Sequence, residues 1–147
     1  MIAIINGPNL NLLGKRQPEI YGSLSFEDYL ISLRDKFPLT PLEYFQSNCE
    51  GEIISHIHKL GYETPECTGI VINPGAYAHY SYAIADAISS ISLPVVEVHI
   101  SNIMSREDFR HKSVTAPYCK GVLTGFGLEG YAMAVSFLNR IAPDYEP

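Results

Sequence analysis

The amino-acid sequence predicts a three-layer α/β fold, in which helices cover both faces of a parallel sheet. Two observations lead to this prediction. Short apolar runs typical of buried strands alternate along the chain with segments in which apolar residues recur every three or four positions, as on one face of a helix. Repeated alternation of strand and helix is typical of parallel sheets with right-handed crossovers.

The first strand, helix and second strand of this pattern lie in the first third of the chain. Met1–Ile5 is a continuous apolar run that we expect to form a buried strand. A helix is predicted from Ser25, a good N-cap residue, with apolar residues at helical spacing as far as Phe37. The second strand, Leu39–Gln46, contains Pro41, which cannot donate a ladder hydrogen bond and therefore indicates a sheet edge.

The middle of the chain continues the alternation. Ser47 and Glu50 resemble a capping box at the start of a second helix, which we expect to end at Gly61. Gly69–Asn73 is a continuous apolar strand of the kind found in doubly covered sheets. Apolar residues at helical spacing as far as Ile91 predict a third helix.

The last third supplies two more strands and a helix. Val95–Ile100 is the fourth strand, and because side chains alternate across a strand, Glu97 and His99 are expected to share one face. Val122–Thr124 is predicted as the fifth strand, and a last helix is predicted over 131–138. Together these elements predict one flavodoxin-like domain, residues 1–147, with a five-stranded parallel sheet in the order 2-1-3-4-5.

Composition and charge exclude several classes of protein. A net charge of −6 argues against sequence-independent nucleic-acid binding, which requires a basic surface. No apolar run approaches the ~20 residues of a membrane-spanning helix, and the amino terminus lacks the basic region of a signal peptide. The three cysteines are widely spaced, without a CxxC pair, so we expect neither a disulfide framework nor a zinc site. The expected location is the cytoplasm.

Functional residues are expected where the strands end, because ligands of open parallel α/β sheets bind beyond the carboxyl ends of the strands. Asn6 and Asn9 follow the first strand, Asn73 and His79 the third, and His99 the fourth. Ordinary turns also favour asparagine, but three polar strand ends with two histidines favour a site. A carboxylate two residues from His99 on the same strand face can also orient its imidazole and favour the protonated form.

Two further segments attract attention. The segment 6–22, which contains Arg16 and Tyr21, is longer than a usual strand-to-helix connection and is predicted to be a lid. Residues 125–130 match GxGxxG after a strand, as in dinucleotide-binding sites. Because only one helix and no further strand is predicted after Gly130, we interpret these glycines as sites of close helix–strand packing.

Five stretches of the sequence, in this order, resemble type II 3-dehydroquinate dehydratases over nearly the whole chain: NGPNLNLLGKRQPEIYG at 6–22, QSNCEGEIISHIH at 46–58, NPGAYAHYSYAIADAI at 73–88, PVVEVHISNIMSREDFRHKS at 94–113 and GVLTGFGLEGYAMAV at 121–135. The resemblance implies anti elimination of water from 3-dehydroquinate through an enolate, giving 3-dehydroshikimate. It also implies that no metal, cofactor or Schiff base takes part, and that the enzyme is a dodecamer of four trimers.

The resemblance also implies roles for individual residues. The implied catalytic residues are Tyr21 as the base, Arg16 as the cation that lowers the pKa of this tyrosine, His99 as the general acid, Glu97 behind His99, and Asn9 as the residue that helps to place a water. The implied substrate-binding residues are Asn73 and the backbone amides of Ile100 and Ser101 for the carboxylate, His79 and Arg110 for ring hydroxyls, and Asp86 from a neighbouring subunit.

Two other functions fit the same fold. A flavin- or nucleotide-binding carrier is possible because fold does not determine function, although the first loop lacks the Gly, Ser and Thr of a phosphate cradle. The same dehydration could also serve quinate breakdown rather than the shikimate pathway of aromatic amino acid biosynthesis. We rank the biosynthetic dehydratase first.

Overall fold

The computed structural model of the protein describes residues 1–15, 19 and 23–142. Its sheet has five parallel strands in the order β2-β1-β3-β4-β5. The strands are β1 (Ile2–Asn6), β2 (Leu42–Gln46), β3 (Gly69–Asn73), β4 (Val95–His99) and β5 (Gly121–Thr124). The predicted flavodoxin-like strand order is therefore confirmed, and β2 lies at the sheet edge as predicted, although the strand begins after Pro41 and not at Leu39.

The helices form two layers, one on each face of the sheet. They are α1 (Phe26–Lys36), α2 (Glu50–Tyr62), α3 (Tyr82–Ser89) and α4 (Glu129–Ile141) in the described part of the chain. Alternate strand residues face opposite layers: Ile2 and Ile4 pack with α1 and α4, whereas Ala3 and Ile5 pack with α2 and α3. The result is a core on each side of the sheet, as expected for doubly covered strands.

The predicted helix ends are partly right. Ser25 caps α1, since its Oγ accepts a hydrogen bond from the N–H of Asp28 at 3.1 Å. The prediction of a capping box at Ser47 was wrong, because Cys49 is the N-cap of α2. The Oγ of Ser47 instead accepts a hydrogen bond from the N–H of Cys49 at 2.9 Å and so shapes the turn before the helix.

Gly61 does not end α2, and the reason for a glycine there is packing. The helix continues to Tyr62, and a Cβ at Gly61 would lie only 2.2 Å from the Cγ2 of Ile91. Ile91 itself lies beyond α3, which ends at Ser89 rather than at the predicted position. The predicted ends of α2 and α3 were therefore wrong at two residues, Gly61 and Ile91, that contact each other within this helical layer.

The glycine-rich segment after β5 holds the ends of two strands together. The N–H of Gly125 donates to the carbonyl of His99 at 3.2 Å, and the N–H of Gly127 donates to that of Ile100 at 3.0 Å. A Cβ at Gly130 would lie 3.2 Å from Val98, so α4 packs closely on β4. These contacts support the interpretation of the GxGxxG match as a packing element.

Candidate active site

A cleft opens at the carboxyl edge of the sheet, where β1, β3 and β4 end. Asn6 and Asn73 are the last residues of β1 and β3 and are paired in register. Seven of the residues singled out in the sequence line this cleft: Asn9, Asn73, His79, His99, Ile100, Ser101 and Arg110. Strand ends that are far apart in sequence are thus brought together as the topology of the sheet requires.

Of the four other predicted site residues, the structure describes two. Arg16 and Tyr21 lie outside the described residues. Asp86 is exposed on α3 and is not part of the cleft lining of this chain. Glu97 is completely buried, and it contacts the cleft through His99.

Glu97 and His99 form a hydrogen-bonded pair on one face of β4, as their spacing predicted. The Nε2 of His99 lies 2.6 Å from the Oε1 of Glu97. The exposed fraction of His99 is only 6%, whereas Glu97 has no exposed surface. Because an ionised carboxylate can only accept hydrogen bonds, Nε2 carries a proton and Nδ1 is the nitrogen left to exchange a proton with a ligand.

The environment of Glu97 keeps it ionised. Burial by itself raises the pKa of this carboxyl group. Hydrogen bonds from His99, Thr115 and Ser113 favour the charged form and hold the pKa below its usual range. The anionic Glu97 in turn holds the ring of His99 in one orientation through its bond to Nε2.

His79 is the second histidine of the cleft, and its surroundings favour the neutral form. Burial lowers its pKa, and the hydrogen bond to Lys112 only partly opposes this effect. Its Nδ1 lies 2.8 Å from the carbonyl oxygen of Lys112, which accepts only, so Nδ1 carries the proton. The neutral His79 therefore presents Nε2 as an acceptor, suited to a ligand hydroxyl. The rings of His79 and His99 lie 6.1 Å apart.

Asn73 is held by hydrogen bonds to the turn that follows it and to α4. Its Oδ1 accepts a hydrogen bond from the N–H of Gly75 at 3.1 Å, and its Nδ2 donates to the hydroxyl of Tyr131 at 2.9 Å. The Tyr131 hydroxyl donates to the Oδ1 of Asn6 at 2.7 Å. These bonds fix the amide of Asn73, whose remaining N–H can donate to an anion in the cleft.

Two arginines add positive charge to the cleft. Arg110 was predicted, and its Nε lies 2.9 Å from Glu107. Arg106 also lines the cleft, with its Nη1 donating to the Oγ of Ser101 at 3.4 Å, and sequence reasoning missed it. Its position four residues before Arg110, in the segment after β4, is the signal that could have found it. Among the described residues, no three His, Cys, Asp or Glu side chains come together as a metal site.

The fold and the cleft are those of an α/β enzyme, and the groups of the cleft suit an anionic ligand and the transfer of a proton. A protonated imidazole with a buried counter-ion can act as a general acid, and the arginines and amides can bind an anion. The family model for class II dehydroquinases matches residues 1–139. The chain belongs to the class II dehydroquinase family.

Individual relatives agree with this assignment. The 3-dehydroquinate dehydratase of Caldicellulosiruptor bescii is 54% identical over 142 residues, which cover 95% of this chain and 97% of the relative. The crystal structure of the type II dehydroquinase from Butyrivibrio crossotus superposes with a TM-score of 0.87 at 50% identity, covering 94% of this chain and 96% of that one. A 3-dehydroquinate dehydratase-like protein from Bifidobacterium longum is more distant, with a TM-score of 0.65, 31% identity and 93% coverage of both chains.

Proposed function

We propose that this chain is a single catalytic domain that converts 3-dehydroquinate to 3-dehydroshikimate in the shikimate pathway, by anti elimination of water through an enolate. A base removes a proton beside the ketone, the electron pair moves onto the ketone oxygen, and the enolate then expels the hydroxyl as water after protonation. The buried Glu97–His99 pair carries this proposal, because hydroxide leaves poorly and the reaction needs a general acid.

His99 is the general acid of the proposed mechanism. Its imidazolium would donate the Nδ1 proton to the departing hydroxyl, while Nε2 stays bound to Glu97 at 2.6 Å. Glu97 fixes the ring and neutralises its charge before the transfer. Because Glu97 is fully buried, solvent cannot screen this attraction as it would at the surface.

Tyr21 is the proposed base, and Arg16 the group that activates it. A free phenol has a pKa near 10, so only about one molecule in a thousand is ionised at neutral pH. A guanidinium nearby favours the phenolate and does not itself lose a proton. Asn9, which lines the cleft, is proposed to help place a water that donates a hydrogen bond to the enolate oxygen.

Substrate binding is assigned to the polar floor and rim of the cleft. The substrate carboxylate would accept hydrogen bonds from Asn73 and from the backbone amides of Ile100 and Ser101, which follow β4 directly. At the rim, His79 and Arg110 would bind the ring hydroxyls of the substrate, and Asp86 would reach the site from a neighbouring subunit. The orientation of Asn73, which leaves one of its N–H groups free for an anion, supports this assignment.

We propose that the enzyme is a dodecamer of four trimers located in the cytoplasm. Tyr80, Tyr82 and Phe109 are large exposed side chains around the cleft and α3, and such a surface suits a subunit interface that could bring Asp86 to a neighbouring site. No helix of the described residues is long and apolar enough to cross a membrane. The three cysteines are unpaired, which is usual in a reducing compartment.

The proposal is tested by following the near-ultraviolet absorbance of the enone product when purified protein is mixed with 3-dehydroquinate. We expect His99→Ala and Tyr21→Phe to lower kcat by orders of magnitude, while His58→Ala and Tyr62→Phe, which change exposed residues of α2, retain normal rates. No absorbance increase with the unmodified protein would refute the function. Normal turnover in either site variant would remove that residue from the mechanism. Borohydride in the presence of substrate should not inactivate the enzyme, because no imine forms.

A further inference from the structure

Glu97 is surrounded by more hydrogen-bond donors than its partnership with His99 requires. The Oε1 of Glu97 accepts from Ser113 Oγ at 2.8 Å as well as from His99. The other oxygen, Oε2, accepts from Thr115 Oγ1 at 2.6 Å, and Thr115 is itself completely buried. The thiol of Cys119 lies farther from Oε2, at 3.9 Å.

The two hydroxyls solve a problem that a buried carboxylate–imidazole pair creates. A carboxylate without water is unstable as an anion, and one with His99 as its sole donor would gain by taking the proton from the ring. The outcome would be a neutral acid beside a neutral imidazole, which is a poor proton donor. Donors that bond more strongly to the ionised carboxylate than to the neutral acid oppose this transfer.

The segment 112–115, which we call the clamp segment, is itself fixed in place. The N–H of Val114 donates to the carbonyl of Ala78 at 2.7 Å, and Ser113 Oγ accepts from the N–H of Ala116 at 3.0 Å. The carbonyl of Lys112 accepts the bond from His79. One short segment therefore holds His79 directly and holds His99 through Glu97.

We propose that Ser113 and Thr115 are positioning residues of the dehydration, whose hydroxyls keep Glu97 ionised and directed at His99. Thr115 is the more important, since it is the only described side chain within 3 Å of Oε2. The inference rests on the proposed role of the Glu97–His99 pair as the acid half of the site. It adds two residues that are not part of the cleft lining.

The charges around Glu97 agree with this assignment. Among the described residues, His99 on β4 and the Cys119 thiol before β5 are the titratable groups that face Glu97, and the ring of His79 lies next to that of His99. Its neighbours in the sheet, Ile72 on β3 and Val122 on β5, are apolar. Burial and the negative charge of Glu97 raise the pKa of Cys119, which leaves the thiol neutral and makes it a weak donor.

The test compares Thr115→Val, Thr115→Ser and Ser113→Ala with the unmodified enzyme. Thr115→Val keeps the shape of the side chain and removes the donor, so we expect kcat to fall about tenfold with little change in KM, as for a lost hydrogen bond to a charged group. Thr115→Ser restores the hydroxyl and should restore most of kcat. Thr68→Val is the matched control, because the Thr68 hydroxyl donates to the carbonyl of Met1 at the amino-terminal end of the strands, away from the cleft.

An infrared titration separates positioning from simple structural support. The protonated carboxyl band of Glu97 is identified by its absence in Glu97→Gln. In Thr115→Val this band should appear at a pH about one to two units higher than in the unmodified enzyme. Ser113→Ala, at a half-buried position, should shift it in the same direction, and it provides the same measurement if Thr115→Val does not fold.

The two possible failures can be told apart. Glu97→Gln with normal kcat would refute the proposed acid half of the mechanism. The second failure combines a large loss of kcat in Glu97→Gln with no effect of the clamp-segment variants. If Thr115→Val and Ser113→Ala show the same kcat and carboxyl titration as Thr68→Val, only the inference about the clamp segment is overturned.

Discussion

Replacing Tyr131 with phenylalanine is expected to weaken both the fold and the binding of substrate. Tyr131 is fully buried at the start of α4, and its ring packs against Phe26 at a centroid distance of 4.8 Å. Its hydroxyl joins Asn6 to Asn73 by bonds of 2.7 and 2.9 Å. Tyr131→Phe keeps the ring and removes only this link.

The magnitude follows from the groups that lose a partner. The Oδ1 of Asn6 and one N–H of Asn73 would both be left buried without the hydroxyl. Each buried polar group without a partner costs about 1–3 kcal/mol, so we expect the free energy of unfolding to fall by about 2–4 kcal/mol. An Asn73 amide that can rotate holds a carboxylate less well, and we expect KM to rise about tenfold with a smaller change in kcat.

Tyr44→Phe is a matched control within the same aromatic cluster. The Tyr44 ring stacks on Phe26 at 4.8 Å, and its buried hydroxyl makes no well-formed hydrogen bond with any described residue, although Asn6 beside it partly opposes the rise in its pKa. Removing that hydroxyl strands no partner, so stability should stay within about 1 kcal/mol or increase. The contrast between two buried tyrosines isolates the hydrogen-bonded link from the loss of a hydroxyl in general.

Urea unfolding at one fixed protein concentration measures the stability of both variants, and steady-state assays measure kcat and KM. A Tyr131→Phe protein as stable as Tyr44→Phe would refute the energetic argument. Reduced stability with an unchanged KM would show that the hydroxyl supports the core and does not orient Asn73.

Other predictions follow from the packing and from the shifted pKa values. Gly61→Ala should lower the free energy of unfolding by about 1–3 kcal/mol, because the added Cβ would collide with Ile91. Gly51→Ala on the same helix is the control, since a Cβ there meets nothing within 4 Å, and it should raise the free energy of unfolding by up to about 1 kcal/mol in the same urea assay. Burial lowers the pKa of His56 from 6.5, so the contribution of the neutral His56 to stability is present above that pH and is lost as the pH falls. The urea midpoint of His56→Gln should therefore depend less on pH, between about 8 and 5, than that of the unmodified protein. Burial raises the pKa of Tyr44 from 10.0 to about 12, so the contribution of the neutral phenol to stability is present below pH 10 and is lost as the pH rises toward 12. Tyr44→Phe should therefore lose less stability than the unmodified protein in alkaline unfolding curves.

Local patterns predicted the parts of this structure that depend on local geometry. Glu97 and His99 are two residues apart, and the period of a strand is sufficient to place them on one face. The bounds of β3 were predicted to the residue for a similar reason, because a continuous apolar run is bounded by the glycine and asparagine at its ends. The edge position of β2 followed from one missing N–H at Pro41.

The parts that the sequence did not predict depend on partners far along the chain. Tyr131 was expected to be an ordinary core residue, and its hydroxyl meets Asn73 and Asn6 at sequence separations of 58 and 125 residues. Thr115 was not singled out in the sequence, and it meets Glu97 across 18 residues. No periodicity encodes such pairs, because they depend on how separate elements are placed together by the sheet.

The sheet also explains why the two supporting networks should affect different steps of the reaction. Asn6 and Asn73 lie two residues beyond Ile4 and Val71, which pack with α1 and α4, and so they lie on the same face, the one that carries Tyr131. Glu97 and His99 lie on the opposite face, toward α2 and α3, with the clamp segment. Side chains from both faces meet only beyond the strand ends, where the backbone no longer separates them. A loss behind Asn73 should therefore weaken substrate binding, and a loss behind His99 should slow proton transfer, with little coupling between the two.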